Sequence, residues 1–156
     1  MATHDTDTYY LFGTLVRFVA RSSETGGAYC LTDTLVAPGA GAPPNRHPGD
    51  DESFYVLDGT FDFTIEGATT SHGPGAFIRV PTGAVHAFRN TGTAPARLMV
   101  INVPGVIHDG FFSEVGTPMP RGTWKLPAGM GGKPDAAKLK ELAEIAGRHG
   151  LELVMG

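Results

Sequence analysis

The sequence predicts an all-β domain with a C-terminal helical extension. Short apolar runs fill residues 8 to about 103, Gly- and Pro-rich turn signals separate them, and several runs alternate in polarity. Many short strands of this kind favour a β-sandwich or barrel. No block is duplicated within the 156 residues, so one barrel is expected.

The runs are Tyr9–Phe12, Thr14–Ala20, Ala28–Ala37, Ser53–Leu57, Thr60–Ile65, Ala76–Val80, Ala84–Arg89 and Ala96–Val103. Between them lie Glu24-Thr25-Gly26-Gly27, Pro38-Gly39-Ala40-Gly41, Asp58-Gly59, Gly73-Pro74-Gly75, Pro81-Thr82-Gly83 and Asn90-Thr91-Gly92. Asp58-Gly59 is the strongest hairpin signal of the set. Within Thr60–Ile65, Phe61, Phe63 and Ile65 share one strand face, and Thr60, Asp62 and Thr64 share the other. The tail changes character. Asp109–Val115 reads as one or two helical turns, and Pro118–Pro134 as a loop or arm. Pro134-Asp135 opens a helix in which Leu139, Leu142, Ala143 and Ala146 form one apolar stripe. Gly150 stops it, and Leu151–Val154 offers an edge strand. The expected organisation is a barrel over residues 1–117, with residues 118–156 packing on it.

Composition excludes several classes. Twelve basic against sixteen acidic residues, with no basic stripe, argue against nucleic acid as a partner. No apolar run approaches the ~18 residues that span a bilayer. The polar start Met1–Asp7 does not resemble a secretory signal, and the lone Cys30 has no internal disulfide partner. A reduced, cytoplasmic location is the expectation. Cys30 itself reads as a small buried hydrophobe.

Chemistry has to come from the six histidines and their neighbours. His4 lies in the terminus, His149 ends the C-terminal helix, and His108 begins the patch after the last long strand. All three are assigned ordinary surface roles, and His72, beside a Gly-Pro-Gly turn, a solvated one. His47 and His86 remain. In an extended segment Asn45 and His47 share a face. A turn over Pro48–Asp51 lets Glu52 start the next strand, with Phe54 and Val56 on its face. His86 shares a face with Phe88. If these faces look into one barrel, His47, Glu52 and His86 meet among Phe and Val side chains. Two imidazoles and a carboxylate form a facial metal set with open positions. The alternative is a metal-free cluster in which Glu52 bridges the two imidazoles.

The two segments resemble the two motifs of the cupin superfamily. The first reads Gly39-x5-Asn45-x-His47-x4-Glu52-x6-Gly59, with Asn45 where the family places a His. The second reads Gly75-x5-Pro81-x-Gly83-x2-His86-x3-Asn90, complete at every fixed position. Beyond residues 39–90, the chain is similar to small single-domain cupins related to quercetin dioxygenases. The resemblance implies a jelly-roll barrel holding one divalent metal, Fe, Ni, Mn, Co, Cu or Zn. It implies His47, Glu52 and His86 as ligands and Asn45 as a weak or vestigial fourth, with Glu52 and His86 also catalytic. It further implies a homodimer, with Thr14–Ala20 or the 118–134 arm as contact.

Phe54, Phe61, Phe63, Phe77 and Phe88 are expected to fill the barrel. Phe54, Val56, Phe61, Phe63 and Phe88 would also line an apolar substrate pocket. Arg79 is expected to reach the surface, and Trp124 to cap the barrel mouth or join a dimer contact. The leading functional expectation is a metal-dependent oxygenase acting on an oxygenated aromatic or polyketide-type small molecule. The alternatives are a non-redox isomerase, cyclase or decarboxylase, and a non-catalytic ligand-binding module.

Overall fold

The computed structural model describes residues 5–129 and 133–154. The strands are β1 (Thr8–Leu11), β2 (Thr14–Ala20), β3 (Cys30–Val36), β4 (Gly41–Arg46), β5 (Asp51–Asp58) and β6 (Phe61–Ile65). They continue as β7 (Ala68–His72), β8 (Phe77–Val80), β9 (His86–Asn90) and β10 (Ala96–Val103). Helix α1 (Val106–Val115), strand β11 (Thr117–Met119), helix α2 (Ala136–Arg148) and strand β12 (Glu152–Leu153) complete the chain. Two antiparallel sheets face each other, in the orders β11-β1-β2-β3-β10-β5-β8 and β12-β4-β9-β6-β7. Among the described residues no helix is long and apolar enough to cross a membrane.

Alternation sets which way each strand faces. Phe54 and Val56 of β5, Leu98 and Val100 of β10, and Phe61 and Phe63 of β6 meet between the sheets with Val36, Ile78 and Val80. Burying each such side chain stabilises the fold by roughly 1.5–3 kcal/mol. A one-residue slip would turn a whole strand's set outward, so the core fixes register. Phe77 departs from the expected filling and is 63% exposed. On edge strand β8, Ile78 and Val80 take the inward positions, and Phe77 stands opposite Tyr55 on the outer face.

The turns differ from the sequence expectation in one respect. Asp58-Gly59 does not close a hairpin, because β5 and β6 lie in different sheets. It carries the chain across the barrel, and Gly59 runs at φ +82° where a Cβ would lie 2.5 Å from that of Ala96. The two-residue hairpins are Phe12-Gly13 and Glu66-Gly67, with Leu11 facing Thr14 and Ile65 facing Ala68. All four turn residues have positive φ, as a type I′ hairpin requires.

The tail is woven into the barrel. β11 pairs with β1 and runs across the junction of residues 117 and 118, while β12 extends the edge of β4. Asp135 caps α2 by accepting the Lys138 N–H. Ala146 of α2, Phe111 of α1 and Leu151 form a second small core. β2 is paired on both sides, so Thr14–Ala20 has no free edge to offer a partner. Trp124 lies under the guanidinium groups of Arg17 and Arg97, at 4.5 and 5.5 Å, where Asp33 ties the two arginines together. Arg79 reaches the surface beside Asp51, and Cys30 is fully buried.

Candidate metal centre

Four elements deliver one buried cluster. Glu52 points inward near the start of β5, and His86 opens β9 in the opposite sheet. His47 follows β4 directly, and His108 sits in the first turn of α1. All four are at least nine-tenths buried. Glu52 Oε1 lies 2.9 Å from His86 Nε2 and 3.6 Å from His47 Nε2. Glu52 Oε2 lies 2.9 Å from His108 Nε2 and accepts a 2.6 Å hydrogen bond from Asn102 Nδ2. The His47 ring stands nearly perpendicular to those of His86 and His108, at 4.9 and 5.0 Å.

The far side of each imidazole is fixed by an acceptor. His86 Nδ1 faces Ala84 O at 2.8 Å, His47 Nδ1 faces Asp50 O at 3.3 Å, and His108 Nδ1 faces Asp50 Oδ2 at 3.1 Å. An acceptor at Nδ1 holds the proton there and leaves the Nε2 lone pair free, the arrangement of metal-ligating histidines. Three such lone pairs converge on one carboxylate, so the centre needs a cation or protons between them. His47 Nε2 is buried with no hydrogen-bond partner, an orphan that a metal ion would satisfy. The donor atoms of His47, Glu52 and His108 all lie within 4.8 Å of one another, a possible metal site. Imidazole nitrogen with carboxylate oxygen suits a divalent transition metal.

The electrostatics follow from this crowding. Burial pushes the Glu52 carboxyl up, but the His108 charge and the three histidine contacts outweigh it and hold it well below its ordinary range. Burial pushes His108 down, but the Glu52 charge and the bond to Asp50 outweigh that and raise it to about 9. Burial also works against a charged His86, and its bond to Glu52 prevails and raises it. A proton on His108 offsets part of the charge of the two carboxylates it faces, and a divalent cation at the same place would offset more of it.

The sequence expectation for His108 is corrected here. It is 8% exposed and part of the centre, not of the surface. The signal was present: His108, Phe111, Phe112 and Val115 follow the i, i+3, i+4, i+7 spacing that puts them on one helix face. Asp50 and Asn102 also escaped the sequence reading. Asp50 accepts both the Gly105 N–H, at the start of α1, and His108 Nδ1, so it fastens the first motif to the helix. Asn102 continues the inward series Ala96, Leu98, Val100 on β10. Asn45 lies opposite His86 in register, and its amide nitrogen donates to Pro43 O and His86 O. His149 pairs with Glu114 and His72 is half-buried, while His4 lies outside the described residues.

A cavity of about 690 Å³ reaches this cluster, with Asn45, Glu52, His86 and His108 in its wall. Phe54 and Phe88 line it. Val56, Phe61 and Phe63 do not; they are fully buried in the core beside it.

A two-sheet barrel with histidines and a carboxylate gathered inside defines a class of protein: a small jelly roll with a metal-type centre. Residues 33–102 match the family model described as the cupin domain, so this segment is a cupin domain. It is 28% identical over 104 residues to quercetin 2,3-dioxygenase of Bacillus subtilis (strain 168), covering 67% of this chain and 30% of that protein. It is 32% identical over 95 residues to germin-like protein subfamily T member 3 of Arabidopsis thaliana, covering 56% of this chain and 39% of that one. The chain thus spans well under half the length of these curated relatives. Among solved structures, the polyketide cyclase RemF from Streptomyces resistomycificus superposes with a TM-score of 0.55 at 25% identity, covering 67% of this chain and 79% of that one. A predicted oxalate decarboxylase from Thermotoga maritima gives 0.59 at 15% identity over 66% of this chain and 98% of that one, a likeness of fold alone.

Proposed function

We propose that the chain is a metal-dependent cupin oxygenase acting on an oxygenated aromatic or polyketide-type small molecule. One observation carries the reading: three imidazole Nε2 atoms with anchored Nδ1 partners converge on Glu52 at the wall of a 690 Å³ cavity. His47, Glu52, His86 and His108 would hold the ion, which would be Fe, Ni, Mn, Co, Cu or Zn. When bound, the metal supplies Lewis acidity and, if redox-active, a path for electrons from substrate to dioxygen.

The protein's own part is positioning and proton transfer. Phe54 and Phe88 hold a flat apolar body against the wall. Glu52 Oε1 takes the proton of an enol or phenol hydroxyl, leaving its oxyanion, while His86 Nε2, 2.9 Å away, keeps its lone pair for the ion. Asn45 holds the main chain of His86 in place through its amide nitrogen and leaves ligation to the imidazoles. The similarity to quercetin 2,3-dioxygenase supports oxygenation.

A second reading, a non-redox cyclase, is favoured by the likeness to the polyketide cyclase. An oxygen electrode with phenolic and diketone substrates separates the two. The oxygenase reading expects dioxygen uptake in step with substrate loss. Product formed under strict anaerobiosis would overturn it in favour of the cyclase.

A further inference from the structure

The cavity has a polar edge that the metal centre does not use. Thr14 on β2 and Thr32 and Thr34 on β3 line it, and all three are more than nine-tenths buried. The Thr14 hydroxyl has no hydrogen-bond partner. Those of Thr32 and Thr34 bond no other described residue and, unlike that of Thr14, are not fully shut from the cavity. Valine would fill the Thr14 position without burying an unpaired hydroxyl, so that threonine works against stability unless something in the cavity bonds it, and the Thr32 and Thr34 hydroxyls beside it are open to a cavity ligand.

Register shows how they are arranged. Glu52 pairs with Asn102, which pairs with Cys30; Thr32 pairs with Val100 one inward row further on. Thr34, opposite Val16 and Leu98, occupies the next row, and Thr14, opposite Val36, the one after. Inward rows are two residues apart, about 7 Å. Along the strands the three hydroxyls therefore occupy successive rows about 7 Å apart leading away from Glu52, and Phe54, Phe88 and Val100 give the wall beside them apolar surface.

We infer that Thr14, Thr32 and Thr34 form a hydrogen-bonding rail that reads oxygen substituents along one edge of an elongated, largely apolar substrate. The inference rests on the proposed function, in that it takes the cavity as the substrate pocket. It names the feature that selects a poly-oxygenated skeleton over a bare one. Sites built to bond a ligand's hydroxyls discriminate against analogues that lack them, because the pocket's own polar groups are then left unpaired.

The test uses two probes of one skeleton, quercetin and the hydroxyl-free flavone, titrated anaerobically into the full chain as purified. Wild type is expected to bind quercetin at least tenfold more tightly than flavone. The Thr32→Val/Thr34→Val double variant is expected to lose roughly five- to tenfold in quercetin affinity per hydroxyl removed, with flavone affinity unchanged. Its metal content should match wild type, and its melting temperature should equal or exceed it. Equal affinity of wild type for both probes, binding of neither, or discrimination that survives in the double variant would each overturn the rail. Metal content, measured on the same samples, reports on the centre separately. A wild type that holds no metal sinks the metal-dependent reading, and the quercetin–flavone comparison still decides the rail.

Discussion

Asp50→Asn isolates the support behind His108. Asp50 is 2% exposed, and its two oxygens hold the Gly105 N–H at 2.8 Å and His108 Nδ1 at 3.1 Å. An amide in its place keeps one oxygen for Gly105 and presents an NH2 group to the imidazole. That donor requires a lone pair at Nδ1, which moves the ring proton to Nε2, the atom that faces Glu52. A protonated Nε2 cannot ligate. Loss of such a supporting carboxylate typically lowers metal affinity 10- to 100-fold. In the metal-free protein the same change removes a charge-assisted hydrogen bond, a loss of about 1.5–3 kcal/mol. Competition against a chromophoric chelator, run at a temperature where both proteins are folded, measures the affinity. An affinity within twofold of wild type would refute the reasoning, because His108 would then not act through Asp50.

Three further predictions follow from the same geometry. His86→Ala should lower metal content more than Asn45→Ala, since an imidazole aimed at Glu52 is removed in one case and an amide bonded to main-chain carbonyls in the other; equal loss, read by elemental analysis, would make Asn45 a ligand. In metal-free protein His108 titrates near 9, above its unfolded value of about 6.5. Its stabilising contribution is complete below pH 6.5 and is lost as pH rises through 9, so melts of chelated protein should fall across that window, and a flat or rising profile would contradict the cluster. Burial, with the Asp109 charge adding to it, pushes the Cys30 thiol up to about 12. Native protein should therefore resist a thiol reagent at pH 8 and react only on unfolding, and rapid native labelling would place Cys30 elsewhere.

How much was legible beforehand depends on the range of each signal. Strands with alternating apolar residues, such as Phe61–Ile65 and Ala96–Val103, announce themselves locally. β4 does not: Gly41–Arg46 carries two prolines and no β-branched residue, and its pairing with β9 shifts register between Ala42 and Asn45. β7, Ala68–His72, is mostly solvent-exposed and offers no apolar alternation. The Asp58-Gly59 pair shows a limit of local chemistry, since a turn sequence fixes backbone conformation but not which sheet the next strand joins. In the centre, His47, Glu52 and His86 were legible because two motifs hold them at fixed spacings. His108 reaches the cluster through Asp50, 58 residues away in sequence. Its helical spacing marked it as inward-facing, but only the folded chain shows what it faces.

The central claim is that the cluster around Glu52 holds a metal ion. Elemental analysis by inductively coupled plasma mass spectrometry, on protein purified without an affinity tag or chelator, tests it most directly. The account predicts close to one divalent transition metal per chain in wild type and a marked loss in His108→Ala. Wild type that carries no metal, and retains none after reconstitution, would contradict it and leave Glu52 and its three histidines as a proton-sharing cluster.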